Sequence, residues 1–199
     1  MVELSVVLQA GGKSSRMGQD KALLPFMGTT MLGYILKQVK GLGDETFIIT
    51  NQPQYYGDFA YPLFNDVIPD VGALGGLYSA VYHARCAHVF VLGCDMPFVK
   101  RGLLDYMLGL TPDFDVVIPR LEPNGFAEPF RAIYKQSCLG PIKTAIDSGQ
   151  RKVISFFNAV DVRYVESAEI ERFDPEHRSF FNVNTPEDFS RAEQMAREG

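Results

Sequence analysis

The sequence predicts a doubly wound α/β fold, a mostly parallel sheet with helices on both faces. Short apolar runs rich in β-branched residues recur at residues 4–8, 46–50, 88–93 and 114–119. They lack polar alternation, which is typical of strands buried on both faces of a parallel sheet. Helical patterns separate them, so strands and helices alternate. No repeat or linker divides the chain, and we expect a single domain over residues 1–199.

Three further segments have the spacing of amphipathic helices. Apolar side chains fall on one face at residues 30–41 and again at 75–86. A third helix, at 184–197, is predicted to begin with Thr185 as its N-cap and Asp188 three residues later. These segments supply the helices that cover the sheet.

One stretch near the end of the sequence predicts an edge strand. Residues 160–165 alternate polar and apolar side chains more openly than the other runs. Alternation of this kind suits a strand that is only half buried. An edge is also where we expect any antiparallel strand of this sheet to lie.

Composition narrows the function classes. The chain has 199 residues, 46% hydrophobic and 22% charged, with a formal net charge of −5. An acidic chain argues against a general nucleic-acid-binding surface, and no apolar run approaches the roughly 20 residues needed to cross a bilayer. The three cysteines are odd in number and widely spaced, which predicts reduced thiols and a cytoplasmic location. They are Cys86, Cys94 and Cys138.

A glycine-rich stretch, "LQAGGKSSRMGQDKALLPFMG" at residues 8–28, follows the first strand. A glycine-rich turn between a strand and a helix presents backbone N–H groups to an anion. The stretch is not a Walker A loop, because Val7 stands where the first glycine would be needed. It does not match the dinucleotide fingerprint either, because Gly11 and Gly12 are adjacent and Gly18 is too distant.

What remains in this stretch is a group of backbone amides at residues 10–15, followed by Arg16 and Lys21. Two cations beside such amides suit a triphosphate whose leaving pyrophosphate gains negative charge. The alternative is a plain glycine turn with a solvated arginine and lysine.

The stretch closely resembles the signature of the MobA-like nucleotidyltransferase family, which includes molybdenum cofactor guanylyltransferases. Three later segments resemble the family in the same order: residues 65–77, with Ala73 in place of a proline, then 91–99 and 180–189. The matching signature residues are Gly11, Gly12, Ser14, Arg16, Met17, Gly18 and Lys21. The resemblance spans nearly the whole chain and implies a Rossmann-like nucleotidyltransferase domain.

Asp95 is the candidate ligand for Mg²⁺. It follows the strand at 88–93, at the carboxyl edge where open α/β sheets bind ligands. Magnesium takes one or two protein carboxylates together with phosphate oxygens. The alternative is an N-cap for the helix predicted near 100–108. With the resemblance, the catalytic candidates are Arg16, Lys21 and Asp95.

Two asparagines flank Val183, so in an extended segment both amides face one side. The resemblance implies that one of them offers a carbonyl oxygen to the metal, with Asn184 as the metal candidate and Asn182 as the second-substrate candidate, and which of the two contacts the metal stays open. Turn and cap chemistry before Thr185 is the alternative, and it stays open. Glu128 is a further second-substrate candidate by the resemblance.

Asn51 and Asp66 follow two other strands and therefore fall on the same sheet edge as Asp95. The resemblance implies that both contact a guanine nucleotide, and a carboxylate can accept from the N1–H and N2 amine of guanine. A turn role for Asn51 stays open, and Asp70 is a nearby competitor of Asp66. The nucleotide-binding candidates are Gln9, Ala10, Gly11, Gly12, Ser14, Lys21, Asn51, Asp66 and Asp95.

Gln9 departs from the family, which usually has leucine at this position. A glutamine at the carboxyl end of a strand can reach a base edge, or it can cap the turn. The sequence therefore predicts the residues that recognise the base less precisely than it predicts the phosphate-binding residues.

The resemblance implies transfer of GMP from GTP to the terminal phosphate of molybdopterin, with Mg²⁺ as cofactor. The implied partners are GTP, the molybdopterin cofactor and proteins that deliver that cofactor, with no nucleic acid and no membrane. A sister transferase that uses CTP or a sugar phosphate is one alternative. A nucleotide sensor without catalysis is another, although it would not need Arg16, Lys21 and Asp95 together.

Overall fold

A computed structural model describes residues 3–11, 20–122, 125 and 127–198. Within these residues the strands are β1 (Leu4–Gln9), β2 (Pro25–Phe26), β3 (Thr29–Thr30), β4 (Glu45–Ile49), β5 (Leu63–Phe64), β6 (His88–Gly93), β7 (Val116–Arg120), β8 (Arg131–Lys135) and β9 (Val162–Glu166). The helices are α1 (Met31–Val39), α2 (Ala73–His83), α3 (Arg101–Leu110), α4 (Leu139–Asp147), α5 (Ser167–Ile170) and α6 (Pro186–Glu198).

The main sheet has the strand order β5-β4-β1-β6-β8-β7-β9, and β2 and β3 form a separate hairpin. Neighbouring strands are parallel from β5 to β6 and again between β7 and β9. Strand β8 is antiparallel to both of its neighbours, β6 and β7. The predicted mostly parallel sheet is therefore confirmed.

The expected position of the antiparallel strand is wrong. The edge strand β9, predicted from residues 160–165, runs parallel to β7, and the antiparallel strand β8 lies inside the sheet. The physical reason is the short connection between β7 and β8. A parallel neighbour would need a helical crossover, whereas an antiparallel strand lets the chain turn back directly after β7. A bridge between Arg120 and Ala127 marks this turn.

Helices cover both faces of the sheet, as predicted. Side chains of β1 alternate between two cores, with Val6 and Leu8 in one and Val7 in the other. Helices α1, α3 and α6 contribute to the first core, and α2 and α4 contribute to the second. Burial on both faces explains why the strand sequences are continuously apolar.

The predicted start of α6 is also confirmed. The Asp188 N–H donates to Thr185 Oγ1 at 3.1 Å, and the Thr185 N–H donates to Asp188 Oδ2 at 2.9 Å. The same carboxylate oxygen accepts from the Asn184 N–H at 3.0 Å. These N–H groups hold the pKa of Asp188 below its usual value, with the Asn184 N–H contributing most. The cap thus fixes the residue that precedes it, Asn184.

No helix among the described residues is long and apolar enough to cross a membrane. Cys86, Cys94 and Cys138 are all free thiols, as the sequence predicted.

Candidate active site

Four candidate residues follow four neighbouring strands. Asp66, Asn51, Gly11 and Asp95 come after β5, β4, β1 and β6, which lie side by side in that order. Because these strands are parallel, their carboxyl ends form one edge. Neighbouring strands lie ~4.8 Å apart, so the row spans about 14 Å. The structure therefore brings these candidates together along one edge of the sheet.

At one end of the row, Asn51 and Asp66 form a pair. Asn51 Nδ2 donates to Asp66 Oδ2 at 2.7 Å, and the Asp66 N–H donates to Asn51 Oδ1 at 2.9 Å. The other carboxylate oxygen, Asp66 Oδ1, is buried and has no hydrogen-bond partner among the described residues. The competitor Asp70 is exposed and lies in a left-handed turn with a φ of 60°. Asn51 thus orients Asp66 rather than only forming a turn.

The end of β1 is held from both sides. Gln9 Nε2 donates to the Gly76 carbonyl of α2 at 2.6 Å, so this side chain joins β1 to α2. The Ala10 N–H donates to β4, and Ala10 is buried. Gly11 has a φ of 94°, and a Cβ there would stand 3.2 Å from Thr50 Oγ1. Only glycine adopts this turn without strain.

Five signature residues lie outside the described residues: the site candidates Gly12, Ser14 and Arg16, and also Met17 and Gly18. Lys21, after this gap, makes a long-range contact that the sequence did not indicate. Its Nζ donates to the Val183 carbonyl and to Asn184 Oδ1, both at 2.8 Å. A metal ion on the same Asn184 oxygen would face this ammonium group. The metal role of Asn184 stays a prediction.

Asp20 caps the short helical turn Lys21–Leu23, Tyr56 contacts Asp20, and sequence reasoning missed both. Tyr56 is fully buried, and its hydroxyl donates to Asp20 Oδ2 at 2.5 Å. Asp20 Oδ1 accepts from the Ala22 N–H at 3.1 Å. Burial, with the hydrogen bond to Asp20, raises the pKa of Tyr56 well above its usual value. Asp20 adjoins Lys21 in the signature, but nothing in the sequence pointed to Tyr56.

Asp95 lies at the other end of the row. A Cβ on Gly93 would stand 2.7 Å from Asp95 Oδ1, so the glycine leaves room for the carboxylate. The Asp95 carbonyl accepts from the Val183 N–H at 2.8 Å. Helix α3 begins at Arg101 with Lys100 as its N-cap, so Asp95 does not cap that helix. The helix-cap alternative is therefore wrong.

The segment 182–184 has the predicted alternation. Val183 is buried, whereas Asn182 is exposed and Asn184 is half-buried. The backbone contact between Val183 and Asp95 and the contact of Lys21 with Asn184 both attach this segment to the site. The structure thus joins residues that are far apart in the sequence.

Burial raises the pKa of two titratable groups beside Asp95, Cys94 and Glu128. Burial and the charge of Asp95 raise the pKa of the Cys94 thiol to about 12, so this thiol stays neutral and is a poor nucleophile. Burial, and then the charge of Asp95, also raise the pKa of Glu128, while Arg131 opposes the shift. The second-substrate candidate Glu128 therefore lies close to the metal candidate.

The residues present fit a Mg²⁺ ion that is completed by substrate phosphates. Within the described ranges there is no cluster of three His, Cys, Asp or Glu side chains that could hold a metal alone. Magnesium sites in nucleotide enzymes commonly use one or two carboxylates and phosphate oxygens. Asp95 offers one such carboxylate, so the ion would take most of its other ligands from substrate phosphates.

Comparison with known proteins gives the family. Residues 6–164 match the family described as the MobA-like NTP transferase domain. The chain belongs to this family. The family predicted from the signature, and the nucleotidyltransferase activity, are confirmed.

Individual relatives span nearly the whole chain. A molybdenum cofactor guanylyltransferase of Syntrophotalea carbinolica is 30% identical, over 98% of this chain and 91% of that protein. The crystal structure of molybdopterin-guanine dinucleotide biosynthesis protein A from Archaeoglobus fulgidus has a TM-score of 0.85 at 26% identity, over 98% of this chain and 100% of that one. A cytidylyltransferase of Thermus thermophilus, 2-C-methyl-D-erythritol 4-phosphate cytidylyltransferase, shares the fold at a TM-score of 0.70 and 19% identity, over 98% of this chain and 100% of that chain.

Proposed function

We propose that this chain transfers GMP from GTP to the terminal phosphate of molybdopterin, releasing pyrophosphate. The observation that carries the proposal is the row of side chains along the carboxyl edge of the sheet. One end of the row, Asn51 and Asp66, is suited to a base, and the other end, Asp95, lies beside Glu128 and the segment 182–184. The family membership and the relatives named guanylyltransferases support the same reaction.

Asp66 supplies the base preference in this proposal. Guanine presents two neighbouring donors, N1–H and the N2 amine, whereas cytosine presents one amine and adenine a different edge. A carboxylate accepts both donors of guanine, and charged acceptors give the stronger hydrogen bonds. Asn51 fixes the direction of this carboxylate, because its Nδ2 donates to Asp66 Oδ2 and its Oδ1 accepts from the Asp66 N–H.

The signature stretch binds the triphosphate. Backbone amides at residues 10–15, with Arg16 and Lys21, neutralise the pyrophosphate as it leaves. An acceptor phosphate oxygen attacks the α-phosphorus in line, and the bond between the α-phosphorus and the bridging oxygen breaks. The attacking oxygen is already an anion, so no general base is needed. Positioning and charge neutralisation supply the catalysis.

Asp95 would hold Mg²⁺, which supplies positive charge to the phosphates when it is bound. Asn184 is a second candidate ligand, and Glu128 and Asn182 would contact the acceptor. We expect a direct transfer with no covalent enzyme intermediate, because no Ser, His or Cys is paired with a base at a recognisable spacing in the sequence. A cytoplasmic location, and delivery of the acceptor by other proteins, belong to the same proposal.

The experiment compares GTP, CTP, ATP and UTP in two assays. The first measures thermal stabilisation by each nucleotide with Mg²⁺, because a ligand that binds only the folded state raises the midpoint. The second measures nucleotide transfer to molybdopterin. We expect GTP to give the largest stabilisation and the only efficient transfer. Transfer from CTP at a comparable rate would replace the proposal with a cytidylyltransferase, and binding without any transfer would indicate a sensor.

A further inference from the structure

Arg131 is a buried arginine beneath the candidate site. It is the first residue of β8 and only 3% exposed. Its Nε donates to the Ser179 carbonyl at 3.0 Å, and its Nη2 donates to the Met96 carbonyl. Burial lowers the pKa of Arg131 to about 10, so the side chain remains charged at neutral pH. No proposed chemical step uses this residue.

The two carbonyls belong to the two segments that meet at the site. Met96 directly follows Asp95, and Ser179 shortly precedes the segment 182–184. These segments also share the hydrogen bond from the Val183 N–H to the Asp95 carbonyl. Arg131 therefore connects them at a second point, through one rigid planar group.

Stability alone does not account for a buried arginine here. Among the described residues Arg131 forms no ion pair within 4.0 Å, and its Nη1 and Ser179 Oγ have no hydrogen-bond partner. Burying a charge that forms no ion pair costs free energy, and a well-packed apolar side chain is often as stable or more stable. A rigid guanidinium group that donates to two carbonyls fixes the relative position of the two segments, rather than adding stability.

We propose that Arg131 is a positioning residue, which fixes the Asp95 segment against the segment 182–184. The inference rests on the proposed function, because that function assigns metal binding to Asp95 and acceptor binding to the segment 182–184. Arg131 acts through the backbone and touches no substrate. The charges of Asp95, Glu128 and Asp174 partly oppose the lowering of the Arg131 pKa that burial causes.

Gln38 of α1 provides a matched comparison. Its Nε2 donates to the Pro97 carbonyl at 2.6 Å, and its Oε1 accepts from the Val99 N–H at 3.0 Å. Gln38 thus attaches the Asp95 segment to α1. Its side-chain hydrogen bonds among the described residues do not reach 179–184. Loss of Gln38 should loosen one segment, and loss of Arg131 should loosen the connection between two.

The test uses Arg131→Met, Arg131→Lys and Gln38→Met in the full chain. Amide hydrogen exchange is followed at Val183 and Val99. The Mg²⁺ concentration that gives half of the GTP-dependent thermal stabilisation is measured in parallel, and kcat and KM follow from transfer assays. An arginine with its own ion pair on the edge strand, Arg163, provides the control variant Arg163→Met.

For Arg131→Met we expect exchange at Val183 to rise about tenfold or more. The half-saturating Mg²⁺ concentration should rise, and kcat should fall by roughly tenfold to a hundredfold, because small misplacements have effects of that size. The KM for GTP should change little, and the midpoint should shift by less than about 5 °C. Arg131→Lys, which keeps the charge and can reach one carbonyl, should recover part of each loss. Gln38→Met should accelerate exchange at Val99 only, and Arg163→Met should resemble the wild type.

Unchanged Val183 exchange and unchanged Mg²⁺ dependence in Arg131→Met would overturn the inference, whatever the turnover. If Arg131→Met does not fold, Arg131→Lys decides by the same two readouts. If the wild-type chain transfers no GMP while exchange and Mg²⁺ dependence change as expected, the proposed function is wrong and the positioning role stands.

Discussion

The two halves of the sheet build their parts of the site in different ways. In the half that we propose binds the nucleotide, called the nucleotide half and made of β5, β4, β1 and β6, each strand is parallel to the next and is followed by a candidate residue. In the half that we propose binds the acceptor, called the acceptor half and made of β8, β7, β9 and residues 178–198, no such rule holds. Glu128 precedes its strand, and the segment 182–184 belongs to none.

The difference shows which contacts each half depends on. The nucleotide half takes its geometry from regular strand pairing, and its side chains are fixed by neighbours such as Asn51 with Asp66. The acceptor half takes its geometry from single long-range contacts, such as Lys21 with Asn184 and Arg131 with Ser179. Substitutions in the nucleotide half should therefore weaken the binding of one substrate. Substitutions at the long-range contacts should change how the two halves are positioned against each other.

The largest effect is expected where the halves meet. Asp95→Ala should reduce transfer by about a thousandfold or more, because it removes the proposed metal ligand. The unfolding midpoint should change little, since Asp95 is only half-buried at the sheet edge. Steady-state transfer assays with Mg²⁺ measure the loss. The control is Asp105→Ala, which removes an exposed carboxylate of α3. Near wild-type turnover in Asp95→Ala would show that Asp95 is not the metal ligand.

The next effect concerns Lys21. Lys21→Ala should lower kcat roughly a hundredfold, the scale of one preorganised electrostatic contact, with a smaller change in the KM for GTP. Lys21→Arg should recover little, because a planar fork does not replace a compact ammonium that contacts both Val183 and Asn184. The exposed Lys37→Ala serves as control. If kcat is unchanged in Lys21→Ala, the lysine only shapes the chain.

A more selective effect is expected in the nucleotide half. Asp66→Asn should narrow the preference for GTP over CTP by about tenfold, the size of one lost charged hydrogen bond. Calorimetric affinities for the two nucleotides measure the ratio. Asp70→Asn keeps the left-handed turn of its site and should leave the ratio unchanged. The same narrowing in Asp70→Asn would favour the competitor as the base contact.

The smallest effect is on stability, far from the site. His88 begins β6 opposite Lys135, and burial, with the charge of Lys135, lowers the pKa of His88. The unfolded chain therefore binds this proton more readily, so the free energy of unfolding should fall as the pH drops below about 6.5. In the variant His88→Gln the free energy of unfolding, measured by chemical denaturation, should fall less steeply between pH 7 and pH 5. Parallel curves for the two proteins would contradict this.

The nucleotide half could be predicted from the sequence because its information is local. A buried parallel strand has a continuous apolar pattern, and the residue after it lies at the ligand-binding edge. That rule alone placed Asn51, Asp66 and Asp95 on one edge. The pairing of Asn51 with Asp66 could not be derived, because it depends on how closely β4 and β5 end.

The acceptor half was predicted less well, for physical reasons. Strand β8 begins and ends with charged residues, and α4 includes a glycine and a proline near its start, so neither has a strong local pattern. The inside position of β8 follows from a chain reversal after β7. Arg131 looks like a surface residue in the sequence, and only the fold shows that it is buried.

The most direct test of this two-part site measures both Michaelis constants in two variants. Asp66→Asn should raise the KM for GTP about tenfold and leave the KM for molybdopterin within about twofold. Glu128→Gln, in the acceptor half, should raise the KM for molybdopterin about tenfold and leave the KM for GTP within about twofold. If both variants raise the same constant, or if each raises both equally, the division of the site between the two halves of the sheet is wrong.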